Sequence, residues 1–169
     1  MIYINIGSNL PSNNGDRKNN IKNAIKLLNE YKFNIIKVSS YYETPSYPNK
    51  SDPKFLNVCI KLKANIEAID FLKKIKEIEI KLGRKRIKKN EPRTCDIDII
   101  DYNRKIIKNK DLILPHPRSH LRNFVIYPLK EIEPNWIHPI FDKKIDIFFL
   151  ELDKNSHNEI TRLSKSAIL

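Results

Sequence analysis

The sequence predicts an α+β fold, a ferredoxin-like βαββαβ core with additional C-terminal strands and helices in α/β/α layers. Two observations carry this. Segments whose apolar residues alternate with period two take turns with segments whose apolar residues recur at helical spacing, in the order strand, helix, strand, strand, helix, strand. A chain of 169 residues, 40% hydrophobic and 31% charged, is also the size of one ordinary domain with its own core, so residues 1–169 are read as a single domain.

The opening run gives the first strand at residues 2–6, closed by a turn at Gly7-Ser8-Asn9. From about Asp16, the spacing of Ile21, Ala24, Ile25 and Leu28 predicts a helix to about Tyr31. Residues 33–42 are β-branched and aromatic and read as one strand, ended by Thr44-Pro45-Ser46 because proline cannot continue a ladder. Residues 46–53, rich in Pro, Asn, Ser and Asp, read as an exposed mobile loop. Phe55 to Lys63 alternates again, with Phe55, Asn57 and Cys59 on one side and Leu56, Val58, Ile60 and Leu62 on the other. Glu67 to Leu82 carries a helical stripe that stops at Gly83. The segment 84–93 is dense in lysine and arginine with almost no apolar surface, so it reads as a basic loop, mobile until a ligand arrives. Thr94 to Tyr102 is a strand, expected to return as a short hairpin through Asn103-Arg104 into residues 105–107. A helical piece is expected over 124–131, and Ile145, Phe148, Phe149 and Leu152 predict a last helix in the tail from about Phe141.

Charge narrows the function. The formal net charge is +12, which suits nucleic acid, an anionic membrane or a polyphosphate ligand. Most of the excess is lysine, in a chain equally inflated in Ile and Asn, so much of it reads as a solvated surface. Arginine is scarcer and clustered: six of the eight arginines fall between residues 84 and 122. No run approaches the roughly 20 apolar residues of a spanning helix, and the N-terminus shows no leader pattern, so no membrane partner and a cytoplasmic location are expected. Cys59 and Cys95 sit in strand-like runs without disulfide or zinc spacing and read as small buried hydrophobes. Gly7, Gly15 and Gly83 are too scattered for either standard phosphate-cradling glycine loop, so phosphates must be met by arginine, lysine and metal ions.

The chemistry concentrates on Asp96 and Asp98. Two apart on a strand, their Cα atoms lie roughly 6.5 to 7 Å apart on one face. Such a pair suits one or two Mg²⁺ ions, which take oxygen ligands. Alone, the pair would read as a solvated acidic face. Its context argues otherwise: Arg84, Arg86, Lys88, Lys89 and Arg93 lie upstream, and His116, Arg118, His120 and Arg122 downstream. Guanidinium groups fork onto phosphate oxygens, and phosphoryl-type transfer is mostly positioning and charge neutralisation. A Mg-polyphosphate site is the reading these parts support.

Gly7-Ser8-Asn9-Leu10, Thr44-Pro45, Phe55-Leu56-Asn57, Gly83-Arg84, Pro92-Arg93-Thr94 with Asp96-x-Asp98, and Leu114-Pro115-His116-Pro117-Arg118 followed by Arg122, Phe124 and Pro128-Leu129 resemble the 6-hydroxymethyl-7,8-dihydropterin pyrophosphokinase family. The resemblance runs in order to about Trp136. It implies transfer of the diphosphoryl group of ATP to the 6-hydroxymethyl oxygen of the dihydropterin, releasing AMP. It implies that Asp96 and Asp98 hold two Mg²⁺ ions and that Arg84 and Arg93 are catalytic. Glu79, Arg84, Arg86, Arg93, His116 and Arg122 then serve ATP, while Thr44, Pro45, Phe55, Asn57, Asp96 and Phe124 serve the pterin, the two phenylalanines sandwiching its ring. The expected partners are these two small molecules, with no nucleic acid, and the expected state is a monomer.

Rival classes fit less well. An RNA-binding ferredoxin-like sheet would show RNP1-type aromatics on its central strands and no acidic pair on its exposed face. A two-metal nuclease would add a further Asp, Glu or His cluster. Serine hydrolase and zinc protease motifs are absent.

Overall fold

Strand β1 (Ile2–Ser8) is buried along its whole length because it has neighbours on both sides: β4 (Phe55–Lys63) and β5 (Asp96–Tyr102), each antiparallel to it. In this computed structural model, which describes residues 1–13, 15–84 and 91–163, β2 (Asn34–Val38) and β3 (Tyr42–Thr44) lie along the other edge of β4, and a short β8 (Thr161–Arg162) pairs with β3. The order β5-β1-β4 followed by β2 and β3 is the ferredoxin-like arrangement that the element order predicts. The first strand runs further than expected, since Gly7 and Ser8 still pair with Asn57 and Leu56, and Gly7 also with Asp96.

The single strand expected over 33–42 is broken in two. Ser39 exchanges bonds with Cys59, its N–H donating to the Cys59 carbonyl (3.0 Å) and its hydroxyl accepting the Cys59 N–H (2.9 Å), while Ser40 N–H goes to the Glu131 side chain (3.0 Å). From Val38 to Tyr42 the chain takes four steps against three on β4, from Ile60 to Asn57. That extra residue is a bulge-like break, and it re-aims the strand.

Helices α1 (Arg17–Glu30) and α2 (Ala68–Lys81) cover one face of the sheet. Asp16 caps α1 by accepting the Asn19 N–H at 2.8 Å, and α2 ends at Gly83, whose φ of +80° favours glycine. Ile4, Ile6, Val58, Ile60, Ile97 and Ile99 meet the apolar stripes of both helices there. Helices α3 (Asn123–Ile132) and α4 (Ile145–Glu151) pack on the opposite face against Tyr3, Cys59 and Ile100, which completes the α/β/α layers. Cys59 and Cys95 are free and buried, and burial pushes both thiols up, so they are inert packing groups.

Two connections differ from expectation. The expected turn at Asn103-Arg104 does form, with the Lys105 N–H on the Tyr102 carbonyl (2.9 Å) and both residues at positive φ, but no ladder with β5 follows it. Residues 107–108 instead form β6 (Ile107–Lys108), which pairs with β7 (Ile113–Leu114). The tail holds α5 (Lys154–Asn158) and β8 as well as the expected helix, which begins at Ile145. Residues 47–51 are exposed as expected, but Ser46 is buried. Arg86, with residues 85–90 of the basic run, lies outside the described residues. Among the described residues no helix is long and apolar enough to cross a membrane.

Candidate active site

Alternation along β5 sends Ile97 and Ile99 into the core and leaves Asp96 and Asp98 on the other face. Burial, and then the neighbouring Asp96 charge, push the Asp98 carboxyl up to about 6, against the pull of Arg122, Arg93 and Arg84. Two carboxylates held in repulsion suit a divalent cation. Mg²⁺ binds through one or two carboxylates and completes its shell with phosphates and water, so this donor set fits that ion. Among the described residues there is no cluster of three or more His, Cys, Asp or Glu that would bind a metal without substrate.

Each carboxylate is matched by arginine. Arg84, just past the end of α2, bonds Asp96 Oδ1 through Nη1 (2.6 Å) and also Glu79. Glu79 is buried and accepts the Ile97 N–H at 2.8 Å, so one α2 carboxylate holds both Arg84 and the start of β5 in place. Arg93 reaches Asp96 Oδ2 (3.0 Å), with its guanidinium 5.3 Å from the Phe55 ring centre and its buried Nε without a partner. Arg122, at the N-terminal end of α3, lies 3.3 Å from Asp98 Oδ2 and 5.3 Å from the Phe124 ring centre. His116 Nε2 is 3.9 Å from the same oxygen, and its Nδ1 accepts the Arg118 N–H at 3.2 Å. Burial, with Arg122 and Arg118 nearby, pushes His116 down to about 4, so it faces the site as a neutral Nε2–H donor.

Beside this charged half the sheet carries a glycine where a side chain would crowd its neighbours. Gly7 stands between Asn57 and Asp96 in the register of three adjacent strands. A Cβ placed there would come within 3.0 Å of Asn57 Oδ1 and 3.4 Å of the Phe55 ring. Asn57 donates to Thr44 Oγ1 at 3.2 Å, and both are buried, so the Thr44, Phe55 and Asn57 expected to serve one ligand do lie together. Pro45 follows Thr44 and is half-buried. Phe124 is brought to the same face by Asn5, whose amide, turned so that its nitrogen meets two carbonyls, donates to Phe124 O and Val58 O at 3.1 Å each.

A cavity of about 200 Å³ opens from the acid pair between α2 and β7. Glu79, Arg84, Asp96, Asp98 and His116 line its charged end, and Leu72, Ile75, Ile99, Leu112 and Ile113 its apolar end. Sequence reasoning missed these apolar residues, which look like ordinary core at their own spacing. It also assigned no role to Asn9, a buried residue whose Nδ2 donates to Ser46 Oγ (3.1 Å) and the Pro53 carbonyl (3.0 Å), pinning both ends of the 46–53 loop. A polar residue such as Asn9 beside a strand that is buried throughout is the signal that could have found it.

A ferredoxin-like sheet that presents paired carboxylates, arginines and a half-apolar cavity beside a crowded glycine and the Thr44–Asn57 pair has the parts of a nucleotide-dependent transferase. The comparisons make this specific. Residues 3–134 match the model of the 7,8-dihydro-6-hydroxymethylpterin-pyrophosphokinase (HPPK) family, and the chain belongs to that family. It is a pyrophosphokinase of folate biosynthesis. It is 41% identical over 147 residues to the 2-amino-4-hydroxy-6-hydroxymethyldihydropteridine pyrophosphokinase of Aquifex aeolicus, covering 87% of this chain and 89% of the relative. The Bacillus subtilis protein of the same name is 39% identical over 131 residues, covering 77% and 76%. A solved HPPK-DHPS chain of Plasmodium falciparum superposes with a TM-score of 0.74 at 14% identity, a likeness of fold. The match covers 95% of this chain and 46% of that longer one.

Proposed function

We propose that the chain transfers the β,γ-diphosphoryl group of ATP to 6-hydroxymethyl-7,8-dihydropterin with Mg²⁺ held by Asp96 and Asp98. The hydroxymethyl oxygen attacks the β-phosphorus, its proton is released, the bond from that phosphorus to the α,β-bridging oxygen breaks, and AMP leaves. The observation that carries this reading is the register row Asn57, Gly7, Asp96, in which Asn57 and Asp96 stand two strand spacings, roughly 10 Å, apart. The pterin lies between the Phe55 and Phe124 rings, over Gly7, with its polar edge on Thr44, Pro45 and Asn57 and its hydroxymethyl end toward Asp96.

The base of ATP takes the apolar end of the cavity, against Leu72, Ile75 and Leu112, and its phosphates run to the charged end. There Arg84, Arg93 and Arg122 meet phosphate oxygens, His116 donates through Nε2, and Glu79 holds Arg84 at the cavity wall. Asp96 and Asp98 would hold the divalent cations, which when bound would supply charge neutralisation to the transferred group and would free Arg84 and Arg93 from Asp96. The unpartnered Arg93 Nε is a donor ready for such an oxygen.

The test is incubation of the protein with Mg-ATP and 6-hydroxymethyl-7,8-dihydropterin. AMP and the pterin diphosphate are expected in equal amounts. ADP as the product would mean transfer of a single phosphoryl group and overturn the reading.

A further inference from the structure

Glu131, near the C-terminal end of α3, gathers two edge strands onto one carboxylate. Its Oε1 accepts from the Ser40 hydroxyl (2.8 Å) and Arg162 (3.0 Å), and its Oε2 from the Ser40 N–H (3.0 Å) and the Tyr42 hydroxyl (2.9 Å). Arg162 adds two bonds to Ser40 Oγ, from Nε and Nη2, each of 3.1 Å. A carboxylate offers about four lone-pair positions, so these donors occupy Glu131 fully and leave it for structure rather than chemistry.

What Glu131 holds is the short β3. Three residues make a weak ladder of their own, yet β3 ends in Thr44, the partner of Asn57. The terminal strand β8 covers its outer edge, with Tyr42 opposite Arg162 and the Leu163 N–H on the Tyr41 carbonyl at 2.8 Å. Across the sheet the register reads Arg162, Tyr42, Asn57, Gly7, Asp96. One end of that row is the tail of the chain and the other is the acid pair. Helix α3, which carries Glu131, also carries Phe124 in its first turn. The Thr44–Asn57 edge and the Phe124 wall are thus fixed to each other through Glu131, whereas Glu79, Arg84 and His116 hang on other elements, and Arg122, at the far end of α3 from Glu131, is held by Asp98.

We infer that Glu131 and Arg162 are positioning residues for the pterin pocket, and that the C-terminal strand is a latch that holds Thr44 and Asn57 at the ring edge without bearing on the nucleotide. The inference rests on the pterin-pocket reading given above. The test uses full-length Arg162→Ala, a truncation of a half-exposed side chain, and Tyr42→Phe, which removes one oxygen. Binding of 6-hydroxymethyl-7,8-dihydropterin is titrated in the presence of Mg²⁺ and a non-hydrolysable ATP analogue, and binding of the analogue is titrated separately. Loss of a charge-assisted hydrogen-bond set at Arg162 is expected to weaken the pterin about tenfold and the analogue by less than about twofold. Tyr42→Phe moves in the same direction by less, and Arg162→Lys recovers only part of the loss, since lysine restores the charge but not the fork. Unchanged pterin affinity in both Arg162→Ala and Tyr42→Phe, or equal weakening of both ligands, overturns the latch. Asn57→Ala in the same titration separates the two readings. If it leaves pterin affinity intact, the pocket reading fails and the latch with it; if it weakens the pterin while Arg162→Ala does not, the latch alone fails.

Discussion

The side-chain carbonyl of Asn9 accepts the Arg93 N–H at 2.7 Å, and the Arg93 carbonyl accepts the Asn9 and Leu10 N–H groups at 3.1 and 3.2 Å. Because the Asn9 amide nitrogen also holds Ser46 and Pro53, one asparagine fixes the residue that reaches Asp96 and the loop that follows Thr44. Asn9→Ala strands these donors and acceptors. It is expected to cost about 1–3 kcal/mol of stability and to slow turnover about tenfold or more as Arg93 loses its anchor. Asn9→Asp keeps the acceptor for Arg93 but not the donors to Ser46 and Pro53. It should retain more of the single-turnover rate than the alanine variant, and thermal melts of both report the stability term.

Gly7 sits in regular extended backbone, paired on both sides, so its constraint is space rather than dihedral freedom. A methyl group there meets Asn57 Oδ1 at 3.0 Å, tighter than packing tolerates without displacing the amide. Gly7→Ala is therefore expected to raise the KM for the pterin about tenfold, with the KM for ATP changed less than about twofold, as one steric contact shifts a group on only one ligand. Steady-state kinetics with each substrate varied in turn checks this.

Most of the framework was legible because it depends on period. Alternation in β1, β4 and β5 and the stripes of α1 and α2 follow directly from burial on one face. The break at Ser39-Ser40-Tyr41 was not, because it comes from side chains borrowing backbone partners, Ser39 from Cys59 and Glu131 from Ser40, contacts distant in sequence. The same holds for β8, whose two residues carry no periodic signal and exist as a strand only because β3 has a free edge. In the site, Asp96 and Asp98 were legible from spacing and the arginines from scarcity. The apolar end of the cavity was hidden, since Ile75 and Leu112 look like any core residue until α2 and β7 are seen to stand apart.

Asp98 and Arg93 divide the charged half into two measurable functions. Asp98→Ala is expected to cut turnover at least about a hundredfold and to abolish the Mg²⁺-dependent part of ATP binding, with a cooperative melt retained. Arg93→Ala should slow the chemical step far more than it weakens nucleotide binding, since on the proposed assignment Asp96 holds the place of the phosphates that Arg93 would meet. Single-turnover rates set against nucleotide affinities distinguish the two, and near-normal turnover in Asp98→Ala would count decisively against its assignment.

Away from the site, His138 makes stability depend on pH. Its Nδ1 accepts the N–H groups of Ile140 (3.2 Å) and Phe141 (3.4 Å), and its ring packs among His120, Trp136, Phe141 and Phe148. Burial, with His120 acting in the same sense, pushes it down from 6.5 to about 4. Between these values the unfolded chain binds the proton and the folded chain does not, so the contribution to stability is complete above about pH 6.5 and is lost as the pH falls toward about 4. His120, also lowered by burial, adds to the same slope. His138→Asn offers an oxygen acceptor to the same two N–H groups and does not titrate. Thermal midpoints followed from about pH 7.5 to 4.5 should fall less steeply in the variant than in the natural chain. Identical slopes would show that His138 takes its proton in the folded state as readily as in the unfolded one.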